Sequence, residues 1–120
     1  MIELIPGLPD RIVGFRASGH VTAADYETVL MPAIDAAIAR HGSIRMLYHV
    51  GPGFAGFTAG AMWDDAKVGI AHMRAFERVA VVTDVEWIAG AVRLFRFAMP
   101  AAVRVFPNAQ YAEAAAWIAA

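Results

Sequence analysis

Any chemistry in this chain has to come from a carboxylate pair, four histidines and a few cations lying near two tryptophans. Asp64 and Asp65 directly follow Trp63, Lys67 is the only lysine, and the histidines are His20, His41, His49 and His72. Adjacent carboxylates suggest general acid/base catalysis. On a helix, however, neighbours diverge by about 100°, so Asp64 and Asp65 do not face one substrate. Asp64 precedes Lys67 by three residues, the spacing of a surface ion pair that stabilises by about 0.2–0.5 kcal/mol. A general acid or base also needs a positioned partner, and none adjoins the pair in sequence. The histidines show no i, i+4 pair and no local spacing with carboxylates, so the sequence assigns no metal ligands. His20 falls in a Gly19-His20-Val21 turn, and His41 at a helix C-terminus is explained by the helix dipole. His49 and His72 remain as the histidines that an enzyme would pair with Asp65.

Recognition is the other available chemistry. Residues 51–58, GPGFAGFT, join a predicted strand to a helix N-terminus, where α/β folds place ligands and backbone amides favour anions. The glycines fit neither GxGxxG nor a Walker loop. Phe54 and Phe57 suit a hydrophobic lid or a plug into the core, and Thr58 is the expected N-cap. A helix over residues 58–76 gathers Ala59, Met62, Trp63, Ala66, Gly69, Ile70, Met73 and Phe76 on one face, which reads as core. Asp65 and His72 border that face on one side, Lys67 and Arg74 on the other. They form either a pocket rim with an acidic and a basic side, or boundary residues whose stems cover apolar surface.

The elements that must position these residues follow from periodicity. Residues 2–5 and 11–18 read as two strands joined by Pro6-Gly7-Leu8-Pro9-Asp10. Thr22-Ala23-Ala24-Asp25 resembles a capping box, and Tyr26, Val29, Leu30, Ala33, Ile34, Ala37 and Ile38 then recur at helical spacing up to Gly42. Pro32 removes one hydrogen bond inside that helix and predicts a kink or loosened turn over residues 28–32. Residues 43–50 form a strand, and residues 78–83 form another that looks buried on both faces, as in the middle of a parallel sheet. Thr83-Asp84-Val85-Glu86 is a full capping box opening a third helix that runs to Met99 and closes at Pro100. A short strand at 102–106 precedes a final helix, with Asn108 as its cap and Tyr111, Ala115, Trp117 and Ile118 along it. This order predicts one α/β domain over residues 1–120. It has a mostly parallel five-stranded sheet with an antiparallel edge, right-handed crossovers and four helices.

The third helix is apolar over too wide an arc for one sheet face. Trp87, Ile88, Ala91, Val92, Leu94, Phe95, Ala98 and Met99 span about 160°, leaving mainly Glu86, Arg93 and Arg96 on the polar side. A second copy, a lipid surface or the neighbouring helix must cover it. A homodimer contact through the helix between Val85 and Met99 is the preferred reading.

Composition narrows the classes. The chain has 120 residues, 59% of them hydrophobic, a net charge of -1 and no cysteine. Disulfides, thiolate metal sites and cysteine nucleophiles are thereby excluded. The charge leaves no electrostatic footprint for nucleic acid. No apolar run reaches the roughly 20 residues of a membrane-spanning helix, and residues 1–6 lack the basic region of a signal peptide. A cytoplasmic protein is expected.

Taken together, Gly19-His20-Val21-Thr22, Asp25-Tyr26, Pro32, Ile44-Arg45, Phe57, Ala61, Trp63-Asp64-Asp65, Lys67, His72, Phe76, residues 78–84 (RVAVVTD), Trp87, Arg104-Val105-Phe106 and Ala114-Ala115-Ala116-Trp117 resemble the SpoIIAA-like (STAS/SEC14-type) family of small bacterial proteins. The resemblance implies a STAS fold related to lipid-carrying CRAL-TRIO domains. It also implies a non-enzymatic module that binds a small apolar or amphiphilic, lipid-like ligand without a cofactor, with peripheral membrane contact and dimer formation. Anti-sigma factor antagonists of this fold carry an Asp-Ser-Ser/Thr-Gly phosphorylation motif where the strand meets the second helix. Here residues 53–58 read GFAGFT, so the phospho-acceptor serine is absent. A protein-interaction module lacking that serine is the alternative. On the ligand reading, Phe54, Phe57, Trp63 and Trp87 supply apolar walls, while Lys67, His72 and Arg93 meet a carboxylate or phosphate head.

Overall fold

The computed structural model describes residues 1–120. Five strands form one sheet in the order β1 (Ile2–Leu4), β2 (Ile12–Val21), β3 (Ile44–Phe57), β4 (Phe76–Thr83) and β5 (Ala102–Phe106). β1 pairs antiparallel to β2, and every other pairing is parallel. Each parallel pair is joined by a helical crossover to the next strand in line. Right-handed connections running in one direction across a sheet put their helices on one face. The helices α1 (Ala23–Asp25), α2 (Met31–His41), α3 (Ala59–His72) and α4 (Glu86–Phe95) accordingly share the face that carries Phe15, Tyr48, Val50, Val79 and Val81. Only α5 (Tyr111–Ala119) covers the other face, burying Ala114 and Ile118 against Ile12, Leu47, Ala80, Val82 and Phe106.

The α5 face is sealed. Arg45 and Arg78 donate to the carbonyls of Ile118 and Trp117, at 2.9 and 2.8 Å, satisfying the last turn of the helix. Arg78 and Arg104 also stack on the Trp117 ring, at 5.2 and 5.3 Å. Cations at a helix C-terminus complement its dipole.

The first helix forms as its capping box requires. Thr22 Oγ1 accepts from the Asp25 amide, and Asp25 Oδ2 accepts from the Thr22 amide at 2.8 Å. Pro32 is accommodated by a π-helical turn over Tyr26–Leu30, whose closing bond runs from the Met31 amide to the Tyr26 carbonyl. One extra residue in the turn places Pro32 near the start of α2, where its missing N–H is not needed. Gly42 then ends α2 at φ +76°, a conformation that disfavours a Cβ.

Several local expectations are corrected. The expected glycine-rich loop at residues 51–58 is strand up to Phe57. The extra residues of a register shift lie in β3, which runs from Val50 to Phe54 while β2 runs only from Ala17 to Gly19 (φ +57°), and Phe54, Gly56 and Phe57 then continue the ladder opposite Gly19, His20 and Val21. The Gly19-His20-Val21 turn is for the same reason a continuation of β2. Helix α3 ends at His72, and Phe76 opens β4. The capping box expected at Thr83 does not close, because Thr83 Oγ1 takes the Val85 amide and Asp84 takes the Asn108 amide. Asn108 therefore starts a single 3₁₀ turn, and α5 begins three residues later.

Candidate functional site

Helices α3 and α4 lie over the same sheet face with little direct contact between them. The gap they leave is a cavity of about 490 Å³, lined by 24 residues of which 22 are hydrophobic. Small-molecule sites span roughly 300–1,000 Å³ and share this largely apolar lining. The floor comes from Met46, Tyr48 and Val50 of β3, Val79 and Val81 of β4, and Val103 of β5. Alternation along the strands turns these side chains to one face and leaves Leu47 and His49 on the other.

The α3 wall revises the expected core face. Met62, Ala66, Val68, Gly69, Ile70 and Met73 line the cavity, and of these only Val68 is fully buried, the other buried residues of the helix being Ala61 and Asp64. Periodicity identified an apolar stripe correctly, but that stripe faces α4 across a gap instead of packing on strands. The α4 wall is Trp87, Ile88, Ala91, Val92 and Phe95, so two apolar stripes oppose each other across unfilled space.

Three polar side chains reach the cavity, and they are connected. The Tyr26 hydroxyl donates to Asp65 Oδ1 at 2.7 Å and lies 3.1 Å from the Tyr48 hydroxyl. A phenol has one proton. With that of Tyr26 given to Asp65, Tyr48 is the donor of the second bond. Burial, reinforced by the Asp65 charge, pushes the Tyr26 pKa far up, and burial does the same to Tyr48, so both phenols stay protonated. Asp65 has surface open to solvent, yet it faces a cavity walled by apolar atoms. Burial pushes its carboxyl pKa up, and the Tyr26 hydrogen bond partly opposes the rise.

The residues expected to form a site are divided by the fold. Phe57 and Trp87 line the cavity and meet edge to face at 6.0 Å. Phe54 sits behind them, 4.8 Å from Phe57 and packed against the core. Trp63 is 67% exposed and lies outside the lining. Lys67 pairs with Asp64 at 3.0 Å, and His72 pairs with Asp35 of α2 at 3.1 Å. Arg93 is exposed on the outer side of α4. None of Lys67, His72 and Arg93 lines the cavity. The Asp64–Lys67 contact is not the surface pair its spacing predicts, because Asp64 is buried at 3% exposure.

The catalytic arrangement considered from sequence is not assembled. His49 is on the α5 side of the sheet, stacked on Tyr111 at 4.8 Å and 3.1 Å from Asn108 Oδ1. His72 is tied to Asp35, so neither histidine meets Asp65. No three histidine or carboxylate side chains gather at metal-binding distance. Tyr26 and Tyr48 had no local signal in sequence. The available clue was that a tyrosine in an apolar stripe needs a partner for its hydroxyl, and Asp65 is the carboxylate within reach.

Residues 12–119 match the SpoIIAA-like family. The chain belongs to that family. A crystal structure of an uncharacterised SpoIIAA-like protein of the DUF3478 family, from Shewanella loihica, has the same fold. It superposes with a TM-score of 0.78 at 28% identity, covering 98% of this chain and 92% of that one. No curated protein matches the chain in sequence. In this SpoIIAA-like chain no helix is long and apolar enough to cross a membrane. Thr58 caps α3 by accepting from the Ala61 amide at 3.2 Å.

Proposed function

We propose that this SpoIIAA-like domain binds a small apolar or amphiphilic ligand between α3 and α4, by recognition without turnover. The observation that carries the reading is the cavity of about 490 Å³, whose lining is hydrophobic at 22 of 24 positions. A space of this kind inside a folded domain forgoes the dispersion contacts that its walls would otherwise make, and an apolar ligand restores them. Each methylene moved from water into such a site contributes about 0.8 kcal/mol. The test uses a protein with Trp63 and Trp117 replaced by phenylalanine, leaving Trp87 as reporter. Titration with a medium-chain alcohol is expected to change its fluorescence saturably, and an unchanged signal across the series refutes the reading.

A second reading concerns α4 itself. Leu94, Phe95 and Phe97 are exposed, Phe97 by 82%. Glu86 and Arg93 lie two turns apart on the same helix, are exposed, and form no ion pair within the chain. Antiparallel packing of α4 on its copy sets Glu86 of each copy beside Arg93 of the other, which is self-complementary as a two-fold contact requires. A homodimer through the helix between Val85 and Met99 is the proposed assembly. Phe97→Glu alters no buried contact, so its effect on folding stability is expected to stay within about 0.5 kcal/mol. Light scattering should show a dimer for the parent chain and a monomer for the variant. A monomeric parent, or an unchanged dimer, rules the contact out.

A further inference from the structure

We propose that the polar end of the cavity selects an apolar ligand bearing a hydrogen-bond donor, an alcohol or an amine, and rejects fatty acids and phosphate-headed lipids. This inference rests on the ligand-binding reading above and specifies the class of ligand.

The argument is an inventory of protons and lone pairs. At its polar end the cavity offers Tyr26, Tyr48 and Asp65 as a connected cluster, and the only other side-chain N–H or O–H of the lining is the indole of Trp87. Tyr26 spends its proton on Asp65 Oδ1, and Tyr48 spends its own on Tyr26. No donor is left over within this cluster. The unused capacity consists of acceptors: the second carboxylate oxygen of Asp65, which takes no hydrogen bond from the protein, and lone pairs on the Tyr48 oxygen. An incoming hydroxyl or amino group supplies the missing proton. An incoming carboxylate or phosphate brings more acceptors and a negative charge, and at this cluster it meets a carboxylate with no donor to receive it.

No cation compensates. Lysine, arginine and histidine are all absent from the lining. Lys67 and His72, the nearest candidates in sequence, are engaged by Asp64 and Asp35. The relay also fixes where the acceptor sits. Tyr26, 1% exposed in the π-helical turn, holds Asp65, and its own hydroxyl is fixed by Tyr48, buried in the middle of β3. In an apolar site an unpaired polar group costs more than one in water, so a single matched donor discriminates strongly between otherwise identical chains.

The experiment compares four probes with the same ten-carbon chain: decanol, decylamine, methyl decyl ether and decanoate. Each is titrated against the Trp87 reporter protein. Decanol and decylamine are expected to bind about tenfold or more tightly than the ether, which has an acceptor but no donor, and than decanoate. Asp65→Asn keeps one acceptor oxygen, adds two donor protons and removes the charge. In that variant decylamine should lose its advantage and decanoate should gain about tenfold, and the ether, an acceptor that now meets a donor, should gain as well. If decanoate binds the parent as tightly as decanol, or if the four rank the same in both proteins, donor selection is overturned while the cavity reading stands. If no probe is bound by the parent, the cavity reading itself fails and takes the proposal with it.

Discussion

Replacing Gly69 by leucine is expected to stabilise the fold by up to about 1 kcal/mol while weakening binding of an apolar ligand about tenfold or more. The two effects have one origin. Gly69 lies in the interior of α3 and lines the cavity, and a Cβ built there meets no atom within 4 Å. Glycine in a helix interior costs about 0.5–1 kcal/mol relative to alanine through the freedom it loses on folding. A leucine recovers that cost and also fills space that the walls leave empty. The same atoms exclude ligand: two displaced methylenes at about 0.8 kcal/mol each already amount to a tenfold change in affinity. Gly90 of α4 is the matched control, since its Cβ also meets nothing within 4 Å but it lies outside the lining. Gly90→Leu should show the stability gain in urea unfolding without the binding loss in the Trp87 titration. Equal affinities for the two variants would show that ligand does not occupy this cavity.

Gly69 also marks the boundary of what was legible in the sequence. The fold was readable because its signals are local and redundant. The Thr22–Asp25 box, the Gly42 stop and the apolar run at Val79–Val82 each specify one element, and element order then fixes the sheet through the crossover rule. Residues 51–57 read as a loop because glycine and proline there mimic loop composition, whereas they are the bulged end of β3, kept extended by pairing with Gly19, His20 and Val21 of β2. No property of residues 51–57 themselves reports that distant partner. The site was only half legible for a related reason. The stripe Met62, Ala66, Gly69, Ile70 and Met73 announces an apolar face, but periodicity cannot say whether that face meets protein or empty space. Likewise Lys67 and His72 border the stripe at helical spacing, yet the side on which each finds a carboxylate depends on where α2 and the rest of α3 pack. The Tyr26–Tyr48–Asp65 relay joins three elements and exists only once the π-helical turn has set the direction of Tyr26.

Stability of the parent chain is expected to fall with rising pH through the titration of Asp65, and Asp65→Asn is expected to abolish that fall. Burial raises the Asp65 carboxyl above its ordinary value of 3.8, so the folded state holds this proton more tightly than the unfolded chain does. A raised acid contributes stability that is fully present below about pH 3.8 and is lost as pH rises through the folded-state pKa. Two other carboxylates act in the opposite sense. Asp25 is held low chiefly by the Thr22 backbone amide, and Glu77 by the Ser43 hydroxyl and then Arg45. Their contributions are present above the ordinary values of 3.8 and 4.5 and are lost on acidification. The parent curve mixes these trends, so the measurement is the difference in melting temperature between Asp65→Asn and the parent from about pH 4 to pH 8. That difference should grow with pH in favour of the variant, each kcal/mol moving the midpoint of a domain this size by about 3–5 °C. A constant difference would mean that Asp65 titrates as it does in the unfolded chain. The cost also predicts a linkage with ligand. A hydroxyl or ammonium group on the free oxygen of Asp65 favours the ionised carboxylate, so a bound alcohol or amine should stabilise the parent most at high pH. On the proposed ligand reading, the Asp65 charge at the edge of the apolar walls thus weakens the empty domain and strengthens the filled one.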